Sequence, residues 1–80
     1  MTARPDYYAE AQGIAVSLFE RGEFDWSRKI EDAIAGGATG TEILLRMRFT
    51  MRELLESGAA TTQEEGTIRT LIEELDGVLR

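Results

Sequence analysis

The sequence predicts an all-α fold, a compact bundle of four helices in a single domain, residues 1–80, with no β-sheet. Three observations support this prediction. Apolar residues recur at spacings of three and four along most of the chain, which is typical of amphipathic helices. Segments that contain glycine divide these periodic stretches into four. No stretch alternates apolar and polar residues with the period of two that marks a half-buried strand.

The first two helices are predicted at residues 5–21 and 26–35. Gly22 follows the first as a stop signal, and Gly36 begins the glycine pair that ends the second. Asp25 stands where an N-cap for the second helix is needed. The stripes that mark these helices consist of Tyr7, Ala11, Ile14 and Leu18 in the first, and of Trp26, Ile30, Ala33 and Ile34 in the second.

The third and fourth helices are predicted at residues 40–57 and 62–79. Residues 39–42 match the capping box, in which a hydroxyl and a carboxylate each accept from a backbone N–H at the helix start. Residues 61–65 contain two overlapping capping boxes, one residue apart. The stripes are Ile43, Leu44, Met47, Met51, Leu54 and Leu55 in the third helix, and Ile68, Leu71, Ile72, Leu75, Val78 and Leu79 in the fourth.

The composition argues against catalysis and against cofactor or metal binding. The chain has no cysteine and no histidine, so it lacks a thiolate nucleophile, the commonest general base and the commonest metal ligand. The carboxylates Glu73, Glu74 and Asp76 are expected to form a solvated face. We therefore predict a protein that is not an enzyme and that has no cofactor, no metal site and no catalytic residues.

The charge and the apolar pattern also restrict the location and the partners. Nine basic against fifteen acidic residues give a net charge of −6, which repels phosphate backbones and anionic lipids. No apolar run approaches the roughly 20 residues of a membrane helix, and no secretory signal is visible at the start. We expect a cytoplasmic protein without membrane contact. The preference for Arg over Lys, with abundant Ala and Gly, suggests a bacterial source.

Helix three carries an apolar pair outside its main stripe. With Ile43 at zero, Leu45 and Phe49 lie at about 200° and 240° around the helix. Arg52 and Glu56 flank them, and these four residues are the candidate interface. Either other helices of the chain cover the pair, or the pair contacts another protein.

A second interpretation comes from residues 33–44, which resemble the turn and second helix of a bacterial helix-turn-helix. The resemblance implies a DNA-binding or transcription-regulatory protein that uses residues 26–52, with Arg46, Arg48 and Arg52 on the recognition helix. The acidic charge and the different directions of the three arginines argue against it. We do not expect nucleic-acid binding.

The sequence therefore predicts a small acidic helical module that binds another protein or a second copy of itself, the homodimer forming through helix three. The missing catalytic residues and the apolar pair on helix three support this hypothesis. A small core that association would stabilise also favours it. A small-molecule carrier is the third hypothesis, but no set of convergent polar residues marks a pocket.

Overall fold

A computed structural model describes residues 6–79 as four α-helices, which are α1 (Tyr7–Glu20), α2 (Phe24–Ala35), α3 (Gly40–Ser57) and α4 (Thr62–Val78). The prediction of an all-α four-helix bundle is confirmed, and residues 6–79 contain no strand. The helices form a ring, in which α1 and α3 each pack against both α2 and α4. None of these helices is long and apolar enough to cross a membrane.

The predicted bounds agree with the observed ones to within two residues wherever both can be compared. The predicted start at residue 5 lies outside the described residues. The third helix has the predicted bounds, and α1 and α4 each end one residue earlier than predicted. Asp6 caps α1, because its side chain accepts a hydrogen bond from the backbone N–H of Ala9 at 3.0 Å.

The start of α2 was predicted two residues too late, and the predicted N-cap role of Asp25 is wrong. The N-cap is Glu23, whose side chain makes no capping hydrogen bond. Gly22 has a left-handed φ of 88°, and the backbone N–H of Glu23 then donates to the carbonyl of Leu18 at 2.8 Å. This tight turn places Asp25 in the first turn of α2, where its negative charge interacts favourably with the positive end of the helix dipole.

The turn between α2 and α3 follows the predicted capping box in one half and departs from it in the other. The Thr39 side chain accepts from the backbone N–H of Glu42 at 3.1 Å. The Glu42 carboxylate accepts from Ala38, one residue earlier than the standard box requires. Gly37 permits the backbone of this turn to lie close to Ile43. A Cβ at residue 37 would lie 2.9 Å from the backbone nitrogen of Ile43 and would collide with its side chain.

The core lies at the centre of the ring and receives large side chains from all four helices. The largest fully buried ones are Leu18, Ile30, Met47, Met51, Leu54, Ile68, Leu71 and Leu75. These positions belong to the periodic stripes of the sequence. The outer face of each helix remains available to solvent.

Candidate functional site

Leu45 and Phe49 lie on the outer face of α3, away from the core. Their side chains are 47% and 65% exposed, and Phe49 is the most exposed large apolar residue within residues 6–79. The described helices therefore do not cover the pair. We call Leu45, Phe49, Arg52 and Glu56 the α3 patch; the last two are exposed as well.

The α3 patch borders an open groove between α2 and α3. The groove has a volume of about 530 Å³ and is lined by Lys29, Asp32, Ala33, Leu45, Arg46, Phe49, Thr50 and Glu53. Ala33 and Thr50 are buried, whereas Leu45 and Phe49 present apolar surface to it. A smaller recess of about 280 Å³ on the side of α4 is lined by Leu45, Arg48, Asp76 and Leu79. Leu45 therefore contributes to two neighbouring depressions.

Four charged residues line the groove, and none of them belongs to the site predicted from the sequence. Lys29 and Asp32 come from α2, and Arg46 and Glu53 come from α3. Their formal charges sum to zero in a chain whose net charge is −6. Helical spacing alone could have placed Arg46 and Glu53 beside Phe49, but the contribution of α2 depends on how the two helices pack.

Two of these charged side chains are held close to the body of the protein. The ammonium group of Lys29 lies 4.4 Å from the centre of the Trp26 ring, a cation–π contact. Arg46 lies against the end of α2, where a Cβ on Gly36 would come within 2.7 Å of its Nη2. A guanidinium at this position faces the negative end of the α2 dipole.

The other two arginines of α3 lie at Asp76 of α4. Arg48 Nε donates to Asp76 Oδ1, and Arg52 Nη2 lies 3.6 Å from Asp76 Oδ2. The expected solvated face is found at Glu73, which is exposed, whereas Asp76 is only 31% exposed and lies between two guanidinium groups. The three arginines are divided between the α2 side and the α4 side of α3.

A separate polar network, missed by the sequence analysis, joins α1 to the start of α4. Arg21 Nη2 and Nε donate to the two carboxylate oxygens of Glu64 at 2.6 and 3.1 Å, and Ser17 Oγ donates at 2.6 Å. Glu64 also forms the capping box with Thr61, which selects one of the two predicted registers. Arg21 further donates to the carbonyl of Ala59 at 2.5 Å.

The electrostatics of this network indicate a structural role. The hydrogen bond from Arg21, assisted by Ser17 and the backbone of Thr61, lowers the pKa of Glu64 to about 2. Its carboxylate is buried and fully partnered, so it is not available to a ligand. Within residues 6–79 no group of three or more carboxylates is placed to hold a metal ion.

Comparison with known proteins yields no match: no family model fits the sequence, and no curated protein or solved structure is significantly similar to it. The α3 patch and the adjoining groove form an open apolar surface with balanced charges at its edges.

Proposed function

We propose that this protein is a small, acidic, non-catalytic interaction module that binds a protein through the α3 patch and the adjoining groove. The observation that carries the proposal is the exposure of Leu45 and Phe49, two large apolar side chains one helical turn apart. An apolar pair with charged residues at its edge resembles the centre and rim of a protein interface.

Energetics favour covering this surface. Burying a phenylalanine side chain contributes about 1.5–3 kcal/mol, and Phe49 has most of its side chain still exposed. Leu45 adds to the same surface, and both are anchored on an 18-residue helix. Because α3 is packed in the bundle, the backbone that carries these side chains loses little conformational entropy when a partner binds.

The distribution of charge favours a protein partner over duplex DNA. Arg48 and Arg52 lie at Asp76, whereas Arg46 lies at the end of α2. The start of α3 carries Glu42, which would face the bases if α3 were a recognition helix. A net charge of −6 adds long-range repulsion from phosphate.

We also propose that the protein acts in the cytoplasm of a bacterium, without a cofactor. The lack of cysteine is compatible with a reducing compartment, and the Arg-rich, Ala- and Gly-rich composition supports a bacterial source. Recovery of the protein from fractionated cells checks the compartment.

Site-specific photo-crosslinking in the producing organism tests the proposed function. A benzophenone amino acid replaces Phe49 in one variant and Thr70 in a control; Thr70 is exposed on α4 and lines the acidic recess beside Glu10 of α1. We expect discrete polypeptide adducts from position 49 and none from position 70. Equal labelling at both positions, or no adduct from position 49, would contradict the proposal. Adducts to DNA from position 49 would instead support the helix-turn-helix interpretation.

A further inference from the structure

We infer that the partner on the α2–α3 face is a second copy of this chain, bound in an antiparallel two-fold arrangement with Phe49 close to the axis. This inference rests on the proposed function, since it uses the same surface. It specifies the partner through the charge pattern of that surface.

Charge balance is the first argument. Two chains of net charge −6 repel each other, so a stable contact between them needs a face with little net charge. The groove between α2 and α3 meets this condition, because its four charged residues balance. The smaller recess beside α4 is balanced as well, with Arg48 and Asp76, but Phe49 lines only the groove. The opposite side of the ring does not meet the condition, since the recesses between α1 and α4 are lined by Glu10, Glu64 and Glu74 against the single cation Arg21.

The order of charges along α3 is the second argument. Arg46 precedes Phe49 by three residues and Glu53 follows it by four, and both line the groove on the same side of the helix. A two-fold axis that lies in the interface, perpendicular to α3, makes the two α3 helices antiparallel. It also places the groove side of one α3 against the groove side of the other. An axis beside Phe49 therefore sets Arg46 of one copy opposite Glu53 of the second copy, and symmetry produces this pair twice.

The size of the face is the third argument. A standard interface takes about 800 Å² from each partner, which is about 15% of the 5202 Å² surface of this chain. The α2–α3 face is one of four lateral faces of the ring, so it can supply this area. The apolar pair then lies at the centre of the interface, and the charged residues lie on its rim.

Charge reversal with light scattering tests both the partner and the arrangement. The variants are Arg46→Glu, Glu53→Arg and the double substitution Arg46→Glu/Glu53→Arg. Each single variant places like charges opposite each other, and we expect its dimer dissociation constant to rise at least about tenfold. In the double variant each pair again has opposite charges, with the signs exchanged, so we expect it to dimerise like the native chain. An equimolar mixture of the two single variants is expected to form a heterodimer of native affinity.

Matched controls separate this effect from a change in net charge. Arg69→Glu on α4 and Glu20→Arg on α1 alter the charge by the same amounts at exposed positions outside the groove. We expect both to dimerise like the native chain. Circular dichroism on every variant confirms that the helices are retained.

Three results would overturn the inference. They are a native chain that stays monomeric at all concentrations, single variants that dimerise like the controls, and a mixture of single variants that fails to associate. A monomeric chain that still gives polypeptide adducts from position 49 would exclude the homodimer but keep the interaction surface. If those adducts are also missing, the proposed function itself fails.

Discussion

At the scale of single residues, the buried carboxylate of Glu64 connects three parts of the chain. It caps α4, accepts from Ser17 of α1, and binds Arg21, which itself donates to the loop carbonyl of Ala59. Because the Glu64 side chain is only 7% exposed, loss of its partners would leave a buried charge without compensation. The contact between α1 and α4 depends strongly on this residue.

Acid is expected to weaken the fold through Glu64. Its pKa is about 2 in the folded chain and about 4.5 in the unfolded chain, so its contribution is complete above pH 4.5 and is lost as the pH falls towards 2. We expect Glu64→Gln to lower the free energy of unfolding at pH 7 by about 2 kcal/mol, a value reduced for the partial exposure of its partner. Urea unfolding at pH 7 and pH 3 measures both effects.

Glu65→Gln is the matched control, because it removes a charge from the same helical turn but outside the network. We expect it to keep nearly the native stability and the native pH dependence. Identical pH dependence of the native chain and Glu64→Gln between pH 5 and pH 2.5 would contradict the role of Glu64.

Glu10 is expected to have the opposite effect. Among the described residues its buried Oε2 has no hydrogen-bond partner, and burial, followed by repulsion from Glu74 and Asp6, raises its pKa. A raised pKa means that the folded chain binds the proton more readily, so stability rises as the pH falls through that pKa towards 4.5. Glu10→Gln should therefore increase the free energy of unfolding at pH 7 and remove this rise. Unchanged stability at pH 7 would contradict the account.

The ion pairs between helices were not predicted from the sequence, although the local caps were. The cap at residues 61–65 is local, so the hydroxyl and carboxylate spacing was enough to predict it. The partner Arg21 is 43 positions away from Glu64, and Arg48 is 28 positions away from Asp76. Such pairs depend on which helices become neighbours, and local spacing does not encode that order.

At the scale of elements, two helices contain glycines that weaken them without serving the packing. A Cβ at Gly13 of α1 or Gly66 of α4 would meet no side chain or neighbouring helix within 4 Å. Glycine inside a helix costs roughly 0.5–1 kcal/mol relative to alanine, mainly through backbone entropy. These positions therefore offer a direct test of the helix assignments.

We expect Gly13→Ala and Gly66→Ala each to stabilise the protein by about 0.5–1 kcal/mol, raising Tm by roughly 3–6 °C in a domain of this size. Gly58→Ala is the contrasting control, because Gly58 ends α3 with a left-handed φ of 76° and alanine there costs about 1 kcal/mol. Thermal unfolding followed by circular dichroism measures all three. Destabilisation by either helical substitution would show that these backbone positions are not open.

The elements themselves were predictable because their signals are local. The capping residues and the apolar periodicity were sufficient to predict the bounds of α3. The predicted start of α2 was wrong because Gly22 lets the chain enter the next helix directly, without a side-chain cap. Periodicity located Leu45 and Phe49 outside the main stripe of α3. It could not decide whether another helix covers them, since that depends on the arrangement of the ring.

At the scale of the whole molecule, the ring leaves the outer face of α3 open and distributes charge unevenly around the bundle. The α2–α3 groove is balanced, whereas the recesses between α1 and α4 are acidic. The excess of negative charge opposes non-specific contacts between copies of the chain. The α2–α3 groove combines this balanced charge with the exposed side chain of Phe49.

The same charge distribution predicts that the chain does not bind duplex DNA. We expect no retention on a duplex DNA column at about 50 mM salt, where phosphate contacts are strong. Arg52→Ala should leave this result unchanged, because Arg52 lies near Asp76. Retention that falls steeply as the salt rises to about 200 mM, and that Arg52→Ala weakens, would contradict this prediction and support a helix-turn-helix function.

The most direct test of the account is the absolute mass in solution of the native chain and of Leu45→Ser/Phe49→Ser, measured by light scattering after size-exclusion chromatography. We expect the native chain at twice its 8.9 kDa mass and the double variant at 8.9 kDa with its helix content retained, because both side chains lie outside the core. A native chain that elutes as a monomer, or a double variant that unfolds, would contradict the account.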